Sequence, residues 1–269
     1  MRRPKYLSHF SLKSAPFTKE IPDTALWMPP SKKCVVDQLI EAVSERASVV
    51  LVGEAGVGKT CVLRALRRDL PHHGFRLTYC HNATLGRRDF YRQLCLALGL
   101  SPHATAASVF YAVSSHVEEL GRERMHPVFL LDEAHLLHQD TLDHLHILLN
   151  YEWDSRALLS LILVGLPELV ERLALRRNRS LYSRLHHRLA LDGLAPQDTA
   201  DYIGYRLKEV GCTRELFTSD ATAMLHEITL GSLREIDRVA TAAFRESARR
   251  KNKLIERDVV EHVANVLGI

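Results

Sequence analysis

The sequence predicts an α/β fold followed by an all-helical domain. From about residue 32 to residue 192, short apolar runs typical of buried strands alternate with segments whose apolar residues recur at helical spacing. This alternation indicates a doubly wound sheet of parallel strands joined by helices. After Gly193 only helical patterns remain. We therefore predict an N-terminal arm over 1–31, a sheet domain over 32–192 and a helical lid domain over 193–269.

The elements follow from local patterns along the chain. The first 31 residues contain many Pro and Lys residues and four isolated aromatics, which predicts an extended arm that packs on a domain through Tyr6, Phe10, Phe17 and Trp27. The predicted strands cover 49–52, 75–80, 128–131 and 158–164. The predicted helices cover 34–43, 59–70, 90–98, 109–120 and 142–149, and then 196–210, 219–229, 233–250 and 256–266.

The composition is typical of an ordinary globular protein. Of the 269 residues, 46% are hydrophobic and 25% are charged, and the formal net charge is +4. No apolar run approaches the ~18 residues of a membrane span, and the N-terminus lacks the apolar core of a signal peptide. The five cysteines are scattered and form no C-x-x-C pair. We therefore expect a cytoplasmic protein with free thiols and no membrane partner.

A glycine-rich loop follows the first predicted strand and satisfies G-x-x-x-x-G-K-[ST] over Gly53–Thr60. Glycines let backbone N–H groups turn toward phosphate oxygens, and the N-terminus of the following helix also attracts an anion. Lys59 is expected to reach the β- and γ-phosphates and Thr60 to bind Mg²⁺. We assign nucleotide binding to Gly53, Glu54, Ala55, Gly56, Val57, Gly58, Lys59, Thr60 and Cys61.

Two carboxylates follow the strand that ends at Leu131. Ligands of open α/β sheets bind at the carboxyl ends of the strands, so Asp132 is expected to hold Mg²⁺ and Glu133 to polarise an attacking water. Residues Asp132–His135 also spell the D-E-A-H box of one helicase class. We interpret this spelling as a coincidence, because such helicases need two tandem motor domains and a second arginine-rich motif.

Five stretches of this sequence resemble AAA+ ATPases of the ExeA-like group, which includes the transposition-helper ATPases TniB and TnsC. They are Tyr6–Phe10 with Ala15–Phe17, Gly53–Thr60, Leu131–His135, Leu163–Leu169 and Gly231–Arg234. The resemblance extends from Tyr6 to about Val266. It implies a P-loop NTPase (AAA+) fold that binds ATP and Mg²⁺.

The resemblance also implies roles for individual residues outside the P-loop. Arg234 matches the lid sensor that reaches the γ-phosphate, and Asn82 stands where a switch residue restrains the catalytic glutamate. A trans-acting arginine is expected in the arginine-rich stretch 176–188, with Arg184 preferred and Arg179 next. A solvated charged face is the alternative for this stretch. One departure is Leu166, where relatives often carry a polar residue, so we expect either slow hydrolysis or another group in its place.

The resemblance implies a homo-oligomer, a ring or a helical filament, that assembles on double-stranded DNA with ATP and recruits or activates a transposase. Arg87, Arg88 and Arg92 are the first candidates for DNA contacts, and the arm and Arg249–Lys251 are further candidates. One alternative is an ATPase for the assembly of a secretion apparatus, although such relatives usually carry a membrane segment and a wall-binding domain after the lid. Another is a nucleotide-dependent protein–protein switch.

Overall fold

The computed structural model describes residues 4–80, 86–101, 106–152 and 155–269. The chain forms two compact units. Residues 30–54 and 59–191 form the sheet unit, and residues 1–29, 55–58 and 192–269 form the helical unit. The division differs from the predicted one in two places, because the N-terminal segment shares a core with the C-terminal helices and the tip of the P-loop is grouped with them.

The sheet unit is built on five parallel strands in the described residues, in the order β2-β3-β4-β1-β5. The strands are β1 (Ser48–Val52), β2 (Phe75–Cys80), β3 (His126–Leu131), β4 (Ser160–Gly165) and β5 (Leu185–Ala190). The helices are α2 (Pro30–Ser44), α3 (Lys59–Asp69), α4 (Arg87–Leu98), α5 (Ala106–Arg122), α6 (Gln139–Leu148), α7 (Glu168–Ala174) and α8 (Arg179–Tyr182). The four predicted strands are confirmed to within two residues at each end.

The three central strands are buried, except for the half-buried Val52 at the end of β1, because helices cover both faces of the sheet. Val50, Phe129 and Leu163 pack with the apolar sides of α4 to α8. Their strand neighbours point to the opposite face, where Val49 and Leu51 are also fully buried. Burial on both faces explains why these strands are continuous apolar runs in the sequence.

Strand β5 is absent from the sequence-based prediction. It pairs with β1 from Ser48↔Leu185 to Val52↔Ala190 and forms an edge of the sheet. Its exposure alternates, so His186 and Arg188 are exposed while Leu185 is fully buried. The stretch consequently has the composition of a charged surface, although its backbone completes the sheet.

The helical unit contains α1 (Lys5–His9), α9 (Pro196–Glu209), α10 (Ser219–Thr229), α11 (Leu233–Arg250) and α12 (Arg257–Leu267). Phe244 of α11 is its aromatic centre, with ring centroids of Phe10 at 5.0 Å, Phe217 at 5.5 Å and Tyr6 at 6.0 Å. The prediction of an extended arm is therefore wrong for Lys5–His9. This segment becomes a helix because Tyr6 and Leu7 bury their side chains in the core of the helical unit.

A buried arginine fixes the next part of the N-terminal segment. Arg206 of α9 is only 4% exposed, and its Nε donates to the Pro16 carbonyl at 2.6 Å. Its Nη2 donates to the Thr18 carbonyl at 2.9 Å. The planar guanidinium thus satisfies two main-chain carbonyls in a segment that has no ladder partners of its own.

Candidate nucleotide-binding site

The P-loop begins where β1 ends. The Gly53 N–H donates to the Gly165 carbonyl at 3.2 Å, which extends the β1–β4 pairing by one residue. Gly56 and Gly58 have φ angles of +85° and +104°, in the left-handed region that favours glycine. Helix α3 begins directly after them at Lys59. The motif therefore has the strand–loop–helix context that a phosphate-binding loop requires.

The Lys59 ammonium group lies inside this loop. The residue is 9% exposed, and Nζ donates to the carbonyls of Gly53 at 2.6 Å and Glu54 at 3.0 Å. Thr60, the next residue, is exposed. The carbonyl oxygens that now hold this ammonium group are neutral. Phosphate oxygens carry a negative charge, so they would bind the same group more strongly.

Asp132 lies at the same edge of the sheet as the start of the P-loop. Parallel register places Val52 beside Gly165 and Leu131 beside Leu163, so β1, β3 and β4 all end at this edge. Asp132 is 8% exposed. One carboxylate oxygen accepts the Glu133 N–H at 2.9 Å, and the other accepts the Tyr79 hydroxyl at 2.9 Å. Burial and the neighbouring Asp132 raise the pKa of Tyr79 to about 12, so its hydroxyl remains a donor at neutral pH.

Glu133 has an unusual backbone conformation. Its φ of +53° and ψ of +36° place a non-glycine residue in the left-handed region, which costs about 1 kcal/mol. The Asp132 carboxylate and a short 3-10 helix over Ala134–Leu136 hold this conformation. The Glu133 side chain is about half exposed. Such strain is typical of functional positions, and the carboxylate of this residue is accessible.

The residues on the sheet unit fit Mg²⁺-ATP. The Asp132 carboxylate and the Thr60 hydroxyl are hard oxygen ligands of the kind that Mg²⁺ prefers, and Lys59 supplies a positive charge for phosphates. Tyr79 is a member of this site that sequence reasoning missed. Its signal was its position on β2, one residue before the strand end, beside the strand that Asp132 directly follows.

Arg234 lies near the start of α11 in the helical unit. Its backbone N–H donates to the Gly56 carbonyl at 3.3 Å. A Cβ atom added to Gly56 would lie 2.8 Å from the Arg234 Cβ and 2.5 Å from the Ser232 Oγ, so only glycine fits at this close approach. The Arg234 side chain is exposed. Asn82, the predicted switch residue, lies outside the described residues.

The arginines of the stretch 176–188 differ in their contacts. Arg184 donates through Nη1 to the Ser180 carbonyl at 3.0 Å, and the Arg188 guanidinium lies 3.9 Å above the Tyr182 ring. Arg177 pairs with Asp143 at 3.2 Å. Arg179, at the start of α8, is exposed. The structure therefore engages Arg184 and Arg188 within the sheet unit and presents Arg179 to solvent.

The predicted DNA contacts lie on α4. Arg87 and Arg88 are exposed in its first turn, and Arg92 approaches Asp89 at 3.5 Å. A second basic surface lies in the helical unit, where α1 and the end of α11 form an open groove. We call it the basic groove, and its cationic lining residues are Lys5, Arg245, Arg249 and Lys251, with His9 beside them.

Comparisons with known proteins agree with this architecture. Residues 41–173 match the AAA domain family. The chain is 34% identical over 227 residues to general secretion pathway protein A of Aeromonas hydrophila, covering 82% of this chain and 41% of that protein. The chain thus spans about two-fifths of the length of this relative. The chain is thus similar to an AAA domain over residues 41–173 and, over a longer stretch, to general secretion pathway protein A.

Solved structures show the same fold at low identity. Cdc6p from Pyrobaculum aerophilum superposes with a TM-score of 0.69 at 18% identity, over 91% of this chain and 71% of that one. Drosophila ORC bound to DNA superposes with a TM-score of 0.71 at 17% identity, over 99% and 67% of the two chains. The parallel sheet with its P-loop is thus an AAA+ fold.

Among the described residues, no helix has the length and apolar character needed to cross a membrane.

Proposed function

We propose that this protein binds and hydrolyses ATP and uses the nucleotide to control its assembly on duplex DNA. The observation that carries the proposal is the shared sheet edge, where the P-loop follows β1 and the Asp132–Glu133 pair follows β3, the two strands that flank β4. In this assignment Lys59 binds phosphates, and Thr60 and Asp132 hold Mg²⁺. Mg²⁺ supplies charge neutralisation at the phosphates when it is bound.

Glu133 is the residue that acts on water in this assignment. Its half-exposed carboxylate accepts a hydrogen bond from the water and draws off a proton as the water oxygen bonds to the terminal phosphorus. The bond between that phosphorus and the ADP oxygen breaks in the same displacement. Tyr79 keeps Asp132 oriented throughout, since its hydroxyl stays protonated at neutral pH.

Three further contributions complete the proposed site, and one of them makes it depend on assembly. Arg234 contributes a charge from the helical unit, and Arg179 or Arg184 contributes one to the nucleotide of a neighbouring subunit. An arginine supplied in trans would make hydrolysis depend on oligomer formation. Asn82 is the proposed restraint on Glu133, by resemblance alone.

The DNA part of the proposal is supported by charge placement. Lys5 is far in sequence from Arg245 and Lys251, yet all three line the basic groove as exposed cations. Glu246 pairs with Arg249, the fourth cation of the groove, at 2.6 Å and with Arg250 at 2.7 Å, and it makes no ion pair with these three. Lysine and arginine side chains bind the phosphates of the DNA backbone without recognising the base sequence. Drosophila ORC bound to DNA has the same fold.

A mobility-shift titration on duplex DNA tests the proposal, with a non-hydrolysable ATP analogue, with ADP and without nucleotide. We expect binding with the analogue only, and we expect Glu133→Gln to remain bound with ATP. The triple variant Lys5→Glu, Arg245→Glu, Lys251→Glu and the double variant Arg87→Glu, Arg88→Glu are each compared with the surface control Arg122→Glu. Absence of any nucleotide-dependent DNA binding by the wild-type protein would overturn the proposal.

The resemblance to TniB and TnsC extends the proposal to a transposase as the partner that the assembly recruits or activates. A second candidate is an ATPase for the assembly of a secretion apparatus, which is supported by the 34% identity to general secretion pathway protein A. The two differ in their response to DNA. ATPase turnover that duplex DNA leaves unchanged, in a protein that still oligomerises with ATP, favours the secretion role or a protein–protein switch.

A further inference from the structure

His135 lies in a closely defined position two residues after Glu133. Its side chain is only 9% exposed, and its Nδ1 accepts the backbone N–H of Leu166 at 3.4 Å. Leu166 is the residue that directly follows β4. The imidazole of His135 thus places a polar ring at the end of β4. The residue that follows this strand, Leu166, has an apolar side chain.

Two other contacts fix the same residue. Arg172 of α7 donates from Nη1 to the His135 carbonyl at 2.8 Å. Gly165 leaves room for the ring, since a Cβ atom there would lie 3.2 Å from the His135 backbone nitrogen and 3.3 Å from its Nδ1. His135 is therefore held from its carbonyl, from its ring and by the small size of Gly165.

The ring contact determines which imidazole nitrogen carries a proton in the neutral form. Because Nδ1 accepts the Leu166 N–H, the proton resides on Nε2. Nε2 lies 3.7 Å from the Glu133 Oε2. This separation is longer than a direct hydrogen bond, so the buried, fixed nitrogen is a close neighbour of a carboxylate that is half exposed and carried on a strained backbone.

We propose that His135 is a positioning residue for Glu133, holding one carboxylate oxygen so that the other faces the attacking water. The proposal rests on the proposed role of Glu133 in hydrolysis. It also gives the D-E-A-H spelling a function. Leu166 offers no polar side chain at the end of β4, and His135, the last residue of that spelling, places a polar group there instead. His135 itself makes no contact with the reacting atoms in this proposal.

Two substitutions separate this role from a merely structural one. In His135→Asn, the side-chain oxygen can accept the Leu166 N–H in place of Nδ1, but no group remains at the Nε2 position. In His135→Gln, the longer amide can reach the Nε2 position and donate to Glu133. His138→Asn is the matched control, since His138 is exposed, caps α6, and asparagine is also a good N-cap.

We expect His135→Asn to bind nucleotide with wild-type affinity and to hydrolyse ATP roughly 10- to 100-fold more slowly, with KM unchanged. His135→Gln is expected to recover part of the rate, and His138→Asn to match the wild type. In the Glu133→Gln background, His135→Asn should cause no further loss. Wild-type turnover by a folded His135→Asn variant would overturn the inference.

A measurement without nucleotide keeps the inference testable if the His135 variants do not fold. In protein labelled with ¹⁵N-histidine, Glu133→Ala should shift the Nε2 resonance of His135 and leave that of His138 in place. An unchanged Nε2 resonance would contradict the contact. If Glu133→Gln itself turns over normally, the proposed role of Glu133 fails. If Glu133→Gln is inactive while His135→Asn is fully active, only the role of His135 fails.

Discussion

The Tyr79 hydroxyl donates a 2.9 Å hydrogen bond to the Asp132 carboxylate from the neighbouring strand. The other oxygen of the same carboxylate accepts the N–H of Glu133. Asp132 is therefore oriented by a side chain on β2 and by the backbone of the residue that we assign to water activation. The proposed metal ligand, Asp132, is therefore hydrogen-bonded to the backbone of the proposed base, Glu133.

Tyr79→Phe should raise the Mg²⁺ concentration needed for half-maximal nucleotide binding by at least roughly 10-fold, since a hydrogen bond to a charged group contributes about 1.5–3 kcal/mol. The measurement is a fluorescent-nucleotide titration over a range of Mg²⁺ concentrations. Tyr111→Phe is the control, because Tyr111 is 73% exposed on α5. Equal effects of the two substitutions would refute a specific role for Tyr79.

Lys59→Ala should weaken ATP binding at least about 100-fold, because the substitution removes a buried ammonium group that is aimed into the P-loop. Isothermal titration of the variant checks this, with circular dichroism to establish that the fold is retained. Arg67→Ala, at the exposed end of the same helix, should bind ATP normally. Nucleotide affinity that survives in Lys59→Ala would place the phosphates elsewhere.

The parts of the fold that could be predicted are those in which local pattern and burial agree. Strands β1, β3 and β4 are covered on both faces, so their apolar runs appear directly in the sequence. Strand β5 and helix α1 could not be predicted in this way. An edge strand exposes alternate polar side chains, and a helix of five residues has too little local stability to form without the Phe244 cluster.

The residues of the candidate site also fall into those that the sequence could predict and those that it could not. Gly53–Thr60 and Asp132–Glu133 are contiguous in sequence, so their chemistry is visible in motifs. Tyr79 and His135 contribute through distances that strand register determines, and no spacing rule in one sequence predicts these distances. The D-E-A-H spelling, which we interpreted as a coincidence, acquires a structural reason only once the position of Leu166 beside His135 is known.

Arg179→Ala and Arg184→Ala should separate the two candidates for the trans-acting arginine. The Arg184 guanidinium already donates to Ser180, whereas Arg179 is exposed, so these contacts favour Arg179. We expect one variant to bind ATP as a monomer but to lose the hydrolysis that depends on assembly, by about 10³-fold. Mixing it with Glu133→Gln subunits, which keep ATP and an intact arginine, should restore activity. Full activity in both variants would exclude both arginines.

Arg206→Ala should destabilise the helical unit by about 2–3 kcal/mol, because the carbonyls of Pro16 and Thr18 lose a buried donor. Arg206→Lys should restore little, since an ammonium cannot reproduce the two-pronged guanidinium contact. Urea unfolding and limited proteolysis of the N-terminal segment measure the effect. Lys208→Ala, exposed on the same helix, is the control. Equal protease resistance in Arg206→Ala would contradict the anchoring role.

His126 should make the stability of the sheet unit depend on pH. It lies at the start of β3, where Nε2 contacts the Ser160 hydroxyl at 2.8 Å. Burial, together with the positive charge of Arg46, lowers the pKa of His126 to about 4, against about 6.5 in an unfolded chain. The unfolded state therefore binds the proton more readily. The stabilising contribution is complete above pH 6.5 and is lost as the pH falls toward 4.

The size of this dependence is on the order of 3 kcal/mol across that pH range. Urea unfolding between pH 7.5 and pH 4.5 should show a free energy of unfolding that declines less steeply in His126→Gln than in the wild type, because glutamine does not titrate. His73→Gln, which replaces an exposed histidine, should follow the wild-type curve. If His126→Gln declines as steeply as the wild type, other groups cause the acid sensitivity, and His126 is not the residue that couples protonation to unfolding of the sheet.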